Sequence, residues 1–104
     1  MSLDISLKEG EIELHSQNIT HNLGRMAEEL RIYTILWGHK PVANASKLIE
    51  PLTQAIERMK ADPDKYRQFD ASNGWGTYDD FLPWLIELRN NCENYPDASV
   101  SCRI

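Results

Sequence analysis

The sequence predicts a single α+β domain, spanning residues 1–104, in the element order ββαααβ. An N-terminal β-hairpin plus a C-terminal strand should form a small three-stranded sheet, packed on one face by three main helices. Three observations predict this fold. Apolar and polar residues alternate near both ends of the chain, apolar residues between them recur at steps of three and four, and a chain of 104 residues fits one domain.

The strands are predicted from alternation with a period of two, which gives a strand one buried side and one polar side. Residues 3–7 carry leucine or isoleucine at every odd position, and Ile12 and Leu14 alternate with polar neighbours. The glycine in residues 8–10 allows a tight turn, so the two segments should form an antiparallel hairpin. Residues 98–104 alternate in the same way, and the hairpin is the predicted partner of this last strand.

The first main helix is predicted over residues 18–37, the longest helical pattern in the sequence. Asn18 and Thr20 are N-cap candidates, because their short side chains can accept hydrogen bonds from unpaired backbone N–H groups. Gly38 follows where a helix-ending glycine is expected. The predicted apolar face of this helix comprises Ile19, Leu23, Met26, Ala27, Leu30, Tyr33 and Trp37.

The second main helix should begin at a cap formed by Ser46 or Asn44 and end by Asp62. Pro51 removes one backbone hydrogen bond and should bend the start of this helix. Its predicted apolar stripe comprises Leu48, Leu52, Ala55, Ile56 and Met59.

A short helix should follow, capped by Asp62 with Pro63 at its first helical position. After a loop over residues 70–76, Thr77 and Asp80 have the spacing of a capping box, which predicts the start of the third main helix. The predicted apolar stripe of that helix comprises Tyr78, Phe81, Leu82, Leu85, Leu88 and Cys92.

Composition excludes several function classes. The chain is acidic, with a formal net charge of −5 and no run of basic residues, so nucleic-acid binding is not expected. No apolar stretch has membrane-spanning length and no secretory signal is seen, which predicts a cytoplasmic protein without a membrane partner.

Cys92 and Cys102 fall at apolar positions outside any CxxC pattern, so both are predicted to be free, buried and reduced. His15, His21 and His39 lack zinc-site spacing and no cofactor motif occurs, so neither a metal nor a cofactor is predicted.

The first candidate site is a polar cluster formed by Asn18, Thr20, His21 and Asn22. At a helix N-terminus, such a cluster would sit beside free N–H groups that favour an anion or a carbonyl. The plainer alternative is a well-capped helix with a half-exposed histidine.

The second candidate site is the segment Asn73-Gly-Trp-Gly-Thr-Tyr78, in which Trp75 stands between two glycines. An indole on so approachable a backbone could stack on a planar ligand or lie against a partner protein. The alternative is a loop that Trp75 anchors to the core. Both motifs should begin helices packed on one sheet, so we expect them to converge. The predicted binding residues are Asn18, Thr20, His21, Asn22, Asn73, Trp75 and Tyr78.

These motifs also carry a resemblance. The chain contains NITHNL at 18–23, MAEE at 26–29, Ile32-Tyr33, Leu36-Trp37, NGWGTY at 73–78 and YPDA at 95–98. This pattern resembles a group of small uncharacterised proteins found in phages and bacteria. The resemblance implies a cytoplasmic or phage-borne accessory protein and brings no activity, substrate or cofactor. Leu30-Arg31 stands where the group's pattern has Ala-Gly, so the helix break expected there should be softer.

Three functions follow as hypotheses. Because no catalytic constellation is present, the preferred one is a non-catalytic binding or interaction module that engages a protein or a small ligand. The first alternative is a small enzyme that uses His21 as general base, oriented by Asn18 or Asn22. The second is a structural protein that forms homo-oligomers by adding strands at a sheet edge.

Overall fold

A computed structural model describes residues 2–37 and 42–104. Within these ranges the chain is an α+β fold, as predicted, built from a three-stranded antiparallel sheet and helices. The predicted helix end at Gly38 and the side chain of His39 lie outside the described residues. The elements are β1 (Ser2–Glu9), β2 (Ile12–Thr20), a 3-10 helix (His21–Leu23), α1 (Gly24–Glu29), α2 (Tyr33–Leu36), α3 (Ser46–Ala61), α4 (Pro63–Arg67), α5 (Tyr78–Asn94) and β3 (Ser99–Arg103).

The sheet has the order β2-β1-β3, so the first strand of the chain lies in the middle. Leu3, Ile5 and Leu7 of β1 are fully buried, which confirms the side of this strand predicted to face the core. The turn after β1 contains Gly10 with a φ of 62°, a left-handed conformation that glycine adopts without strain. β3 pairs with β1 in antiparallel orientation, with Val100 opposite Leu7.

The predicted buried side of β2, Ile12 and Leu14, was only partly right, because Leu14 is partly buried against the core while Ile12 is exposed. A register shift between Leu7 and Lys8 places His15 opposite Leu7, and Gln17 and Ile19 opposite the other buried residues of β1. Because side chains alternate between the two faces of a sheet, a shift of one residue exchanges the inner and outer sets. Ile12 consequently lies 65% exposed at the tip of the hairpin, while Gln17 is buried.

The long helix predicted over residues 18–37 was also wrong. Its first three residues extend β2, and the remainder forms the 3-10 helix, α1 and α2. Arg31, between α1 and α2, has a φ of 63°. The Arg31 N–H donates to the Glu28 carbonyl and the Ile32 N–H to the Ala27 carbonyl, each at 3.0 Å, which is the hydrogen-bond pattern of a Schellman helix end. The break at Leu30-Arg31 is therefore complete, not softened, although no glycine is present.

The other helices begin largely as predicted. Asp62 accepts a hydrogen bond from the Lys65 N–H at the start of α4, and Thr77 and Asp80 form the expected capping box of α5. The predicted cap of α3 was wrong, because no side chain caps this helix. The Ser46 hydroxyl donates instead to the side-chain oxygen of Asn44.

Helices α3 and α5 pack against each other and, with the sheet, enclose the core. The predicted stripe of α3 is confirmed, since all five of its residues are buried. In α5, Leu82 is only partly buried and Trp84 is buried in its place.

Cys92 is buried as expected, and desolvation raises the pKa of its thiol to about 11. Cys102 is only partly buried, and desolvation raises its pKa as well.

Candidate functional site

The loop before α5 holds Trp75 firmly while leaving its ring in solvent. The Ala71 N–H donates to the Gly76 carbonyl at 2.9 Å, and the Gly74 N–H donates to the Ala71 carbonyl at 3.0 Å. The Trp75 N–H donates to the side-chain oxygen of Asn73 at 2.9 Å. The Trp75 residue is nevertheless 73% exposed. The loop is thus fixed by its backbone, and the alternative in which Trp75 anchors it to the core is wrong.

The two polar motifs meet at this loop. The side-chain nitrogen of Asn22 donates to the Trp75 carbonyl at 2.7 Å. A Cβ atom added at Gly76, whose φ is 114°, would lie 3.0 Å from both Asn22 Cβ and Thr20 Cγ2. The predicted convergence of the segments 18–22 and 73–76 is therefore confirmed. Glycine is required at 76 for both the backbone conformation and the close approach.

An open groove lies between the two motifs. Its volume of about 890 Å³ is within the range of about 300–1,000 Å³ found for small-molecule sites. Asp80 and His21 are the ionisable side chains that line it, and within the described part of the chain no lysine or arginine does. The lining consists of Ser2, Asn18, Ile19, Thr20, His21, Asn22, Asn73, Gly74, Trp75, Gly76 and Asp80.

Asn18 lines the groove from a strand and not from a helix cap, which corrects its predicted role. It lies opposite Asp4 in the hairpin, and its side-chain nitrogen donates to the hydroxyl of Ser2 at 2.9 Å and to Asp4 Oδ1 at 3.1 Å. Its backbone carbonyl accepts a hydrogen bond from the Trp84 indole N–H at 3.0 Å. Thr20 is the residue that caps, because its hydroxyl oxygen accepts from the Asn22 N–H at 3.2 Å.

His21 is tied to the core through one ring nitrogen. Its Nδ1 accepts a hydrogen bond from the Trp37 indole N–H at 2.8 Å. Because an indole N–H can only donate, Nδ1 carries no proton, and neutral His21 carries its proton on Nε2. The remaining polar atom of the ring, Nε2, is therefore a hydrogen-bond donor on a residue that lines the groove. A general base would need an unprotonated ring nitrogen facing the substrate, which this hydrogen bond takes away.

Tyr78 does not line the groove, although the sequence placed it among the binding residues. Its ring is buried, and its hydroxyl donates to the Met59 carbonyl at 2.8 Å. The Arg67 guanidinium lies 4.4 Å from the centre of the ring. Arg67 also bonds both carboxylate oxygens of Asp79, at 3.0 and 3.1 Å, and this contact lowers the pKa of Asp79. Tyr78 thus anchors α5 and has no surface to offer a ligand.

Sequence reasoning missed several lining residues. Ser2 reaches the groove because it pairs with Thr20 across the hairpin, which only the strand register reveals. Asp80 was assigned to helix capping alone, yet only its Oδ2 oxygen is used by Thr77.

A second depression, of about 490 Å³, shares Asn22 and Asn73 with the groove. Its other lining residues are Arg25, Gln68, Phe69, Asp70, Ala71 and Ser72.

No protein-family model, curated protein or solved structure matches the chain. Among residues 2–37 and 42–104, no group of three or more histidine, cysteine or acidic side chains is arranged to hold a metal ion. In the same residues, none of the helices combines the length and the apolar character needed to cross a membrane. The groove must therefore be interpreted from its own chemistry.

Proposed function

We propose that this chain is a non-catalytic binding module whose binding site is the groove beside Trp75. The observation that carries the proposal is the exposed indole on a loop fixed by hydrogen bonds. A tryptophan in water leaves a large apolar surface unburied, and aromatic side chains of this kind dominate the energetics of interfaces once they are covered. The resemblance of the chain to small phage and bacterial proteins suggests a cytoplasmic or phage-borne accessory protein.

The rigidity of the loop supports the same proposal. Binding carries an entropic cost for every side chain or loop that becomes ordered when the ligand binds. Here the Trp75 backbone is already held from both sides, by Asn73 within the loop and by Asn22 from the other motif. Pre-organisation of this kind favours binding and needs no conformational change.

The hydrogen bond at His21 disfavours the enzyme alternative, and it gives a direct test. Long-range ¹H–¹⁵N spectra that correlate ring protons with the two imidazole nitrogens should show Nδ1 unprotonated and Nε2 protonated in the neutral ring. In Trp37→Phe, which removes the indole donor, the His21 ring should populate both tautomers. A neutral ring with its proton on Nδ1 in the native protein would restore the general-base hypothesis.

The binding proposal can be tested by NMR, because each of the three tryptophans carries one indole N–H that reports on its own environment. Titration with a panel of metabolites, nucleotides, glycans and peptides should shift the Trp75 indole signal and the side-chain amides of Asn22 and Asn73. The indole signals of Trp37 and Trp84, which are buried and donate to His21 and Asn18 at the edge of the groove, should move less than that of Trp75.

Trp75→Ala should abolish the ligand-induced shifts of the Asn22 and Asn73 side-chain amides without changing the fold, because the ring is mostly in solvent. Ile12→Ala is the matched control, since Ile12 is an exposed apolar residue outside the groove. The proposal fails if no probe moves the groove signals, or if Trp75→Ala leaves binding as strong as Ile12→Ala does.

A further inference from the structure

We infer that the groove binds a neutral oligosaccharide, an inference that rests on the proposed function and gives it a ligand class. Three features of the described residues support it: a flat exposed indole, amide and carboxylate groups with one end already fixed, and a lining without basic side chains. Each feature has a counterpart in the chemistry of a sugar.

The indole matches the apolar face of a pyranose. One face of such a ring presents several C–H groups, which carry partial positive charge and pack against the negative face of an aromatic π-system. Trp75 lies 73% exposed at the groove, on a loop stabilised by its own hydrogen bonds. A flat saccharide unit could therefore cover the indole without moving the backbone.

The polar side chains around the indole match the hydroxyl groups. Asn22 uses its amide nitrogen to reach the Trp75 carbonyl, so its amide oxygen is held as an acceptor. Asn73 uses its amide oxygen to accept from the Trp75 N–H, so its amide nitrogen is held as a donor. Asp80 engages Thr77 through Oδ2, and Oδ1 has no hydrogen-bond partner among the described residues. Sugar hydroxyls both donate and accept, and this fixed mixture can satisfy both roles.

The charges argue for a ligand without phosphate or carboxylate groups. Tight recognition of such anions uses arginine or lysine, and within the described residues neither lines the groove. Asp80 adds a negative charge to the lining, and the chain as a whole has a formal net charge of −5. Nucleotides and acidic sugars would be repelled, whereas a neutral saccharide would not.

The adjoining depression indicates a ligand of more than one unit. It shares Asn22 and Asn73 with the groove and continues the same surface for another 490 Å³ or so. Gln68 and Ser72 add neutral hydrogen-bonding groups there, and Phe69 adds a second, partly buried aromatic ring. Arg25 and Asp70 also line the depression and add one charge of each sign, so this part of the surface carries no net positive charge. A chain of linked sugar units would contact both parts of this surface.

The test uses defined probes on the whole chain: tetra-N-acetylchitotetraose, maltotetraose, cellotetraose and mannotetraose, with glucose, sialyllactose, ATP and a proline-rich peptide for comparison. Binding is measured by NMR titration of the Trp75 indole signal and by calorimetry. At least one neutral tetrasaccharide should bind, more tightly than glucose and more tightly than sialyllactose or ATP.

Two variants and one control separate stacking from hydrogen bonding. Trp75→Ala should weaken binding of the tetrasaccharide by about tenfold or more, and Asn73→Ala should weaken it by a smaller factor. Ile12→Ala should bind as the native chain does, and thermal melts of all three variants check that they are folded.

The outcomes are distinguishable. If the peptide or ATP moves the Trp75 signal while every neutral saccharide is silent, the saccharide inference is overturned and the binding module remains. If a saccharide binds but Trp75→Ala binds it equally well, the groove is not its site and the inference is again overturned. If no probe moves the signal, the inference and the proposed function fail together.

Discussion

Replacing Gly76, a buried residue, with alanine should be among the most damaging single-methyl changes in this protein. The backbone at this position has a φ of 114°, which costs an L-residue about 1–3 kcal/mol. The added methyl would lie 3.0 Å from Asn22 Cβ and from Thr20 Cγ2, well inside the optimal carbon–carbon separation of about 3.5–4.0 Å. Overpacking of this kind costs about 1–3 kcal/mol more. Gly76→Ala should therefore lower the free energy of unfolding by about 2–6 kcal/mol.

Gly74→Ala is the matched control, because it changes the same loop by the same methyl group. Gly74 also has a positive φ, 79°, but a Cβ atom there would meet nothing within 4 Å. Only the backbone cost of about 1–2 kcal/mol should remain. Urea denaturation followed by circular dichroism gives both values, and equal slopes against denaturant would show that the unfolded states are comparable.

The difference between the two variants reports mainly the contact between the motifs, with a smaller contribution from the different φ angles of the two glycines. Gly76→Ala should also move the Asn22 side-chain amide signal, because the loop must retreat from the strand end. Should the two variants prove equally stable, the close approach of segments 18–22 and 73–76 would be refuted. The groove described above would then lose one of its walls.

Three further predictions follow from other contacts. Arg31→Gly should raise the free energy of unfolding by about 1 kcal/mol in urea denaturation, because glycine adopts the left-handed conformation at lower cost than arginine does. An unchanged or lower free energy of unfolding would contradict the left-handed backbone at position 31. Asp79→Asn should lower the melting temperature slightly at neutral pH. The hydrogen bonds from Arg67 hold the pKa of Asp79 below its ordinary 3.8, so the ion pair stabilises the fold above pH 3.8 and loses this effect as the pH falls through the lower, folded-state pKa. The melting temperatures of the variant and the native chain should therefore converge at low pH. A difference that stays constant with pH would count against the ion pair. With a thiol reagent at mildly alkaline pH, Cys102 should react slowly and Cys92 only after unfolding, because burial raises both pKa values and Cys92 is inaccessible; rapid labelling of Cys92 would place it at the surface.

The parts of the fold that could be predicted from sequence are those in which the spacing of apolar residues fits only one type of secondary structure. Residues 3–7 alternate strictly and lie in the central strand, and the α3 stripe repeats at steps of three and four over a full helix. The start of the segment from 18 to 37 is an exception, since it carries only the helical signal. Ile19 fits the predicted helical stripe, and its pairing with Leu3, which the sequence does not reveal, decides in favour of the strand. The left-handed conformation of Arg31 could not be predicted, because the residue in this position at a helix end is usually glycine.

The candidate site was partly visible for a similar reason. Trp75 between two glycines and the polar residues 18–22 are unusual local patterns, and both do lie at the groove. Tyr78 was misassigned because an aromatic residue beside a loop looks the same whether its ring turns inward or outward. Ser2 and Asp80 could not have been found, since their contribution depends on strand register and on which oxygen a cap leaves unused.

The position of β1 between β2 and β3 has a consequence for how the protein is made. On the ribosome, the hairpin can close early, yet one edge of its first strand has no neighbour until some eighty further residues have been synthesised and β3 emerges. An open strand edge on a nascent chain is a template for pairing with other chains. Synthesis that stalls before Ser99 should therefore release an aggregation-prone species, and the quality of the product would depend on completion of β3.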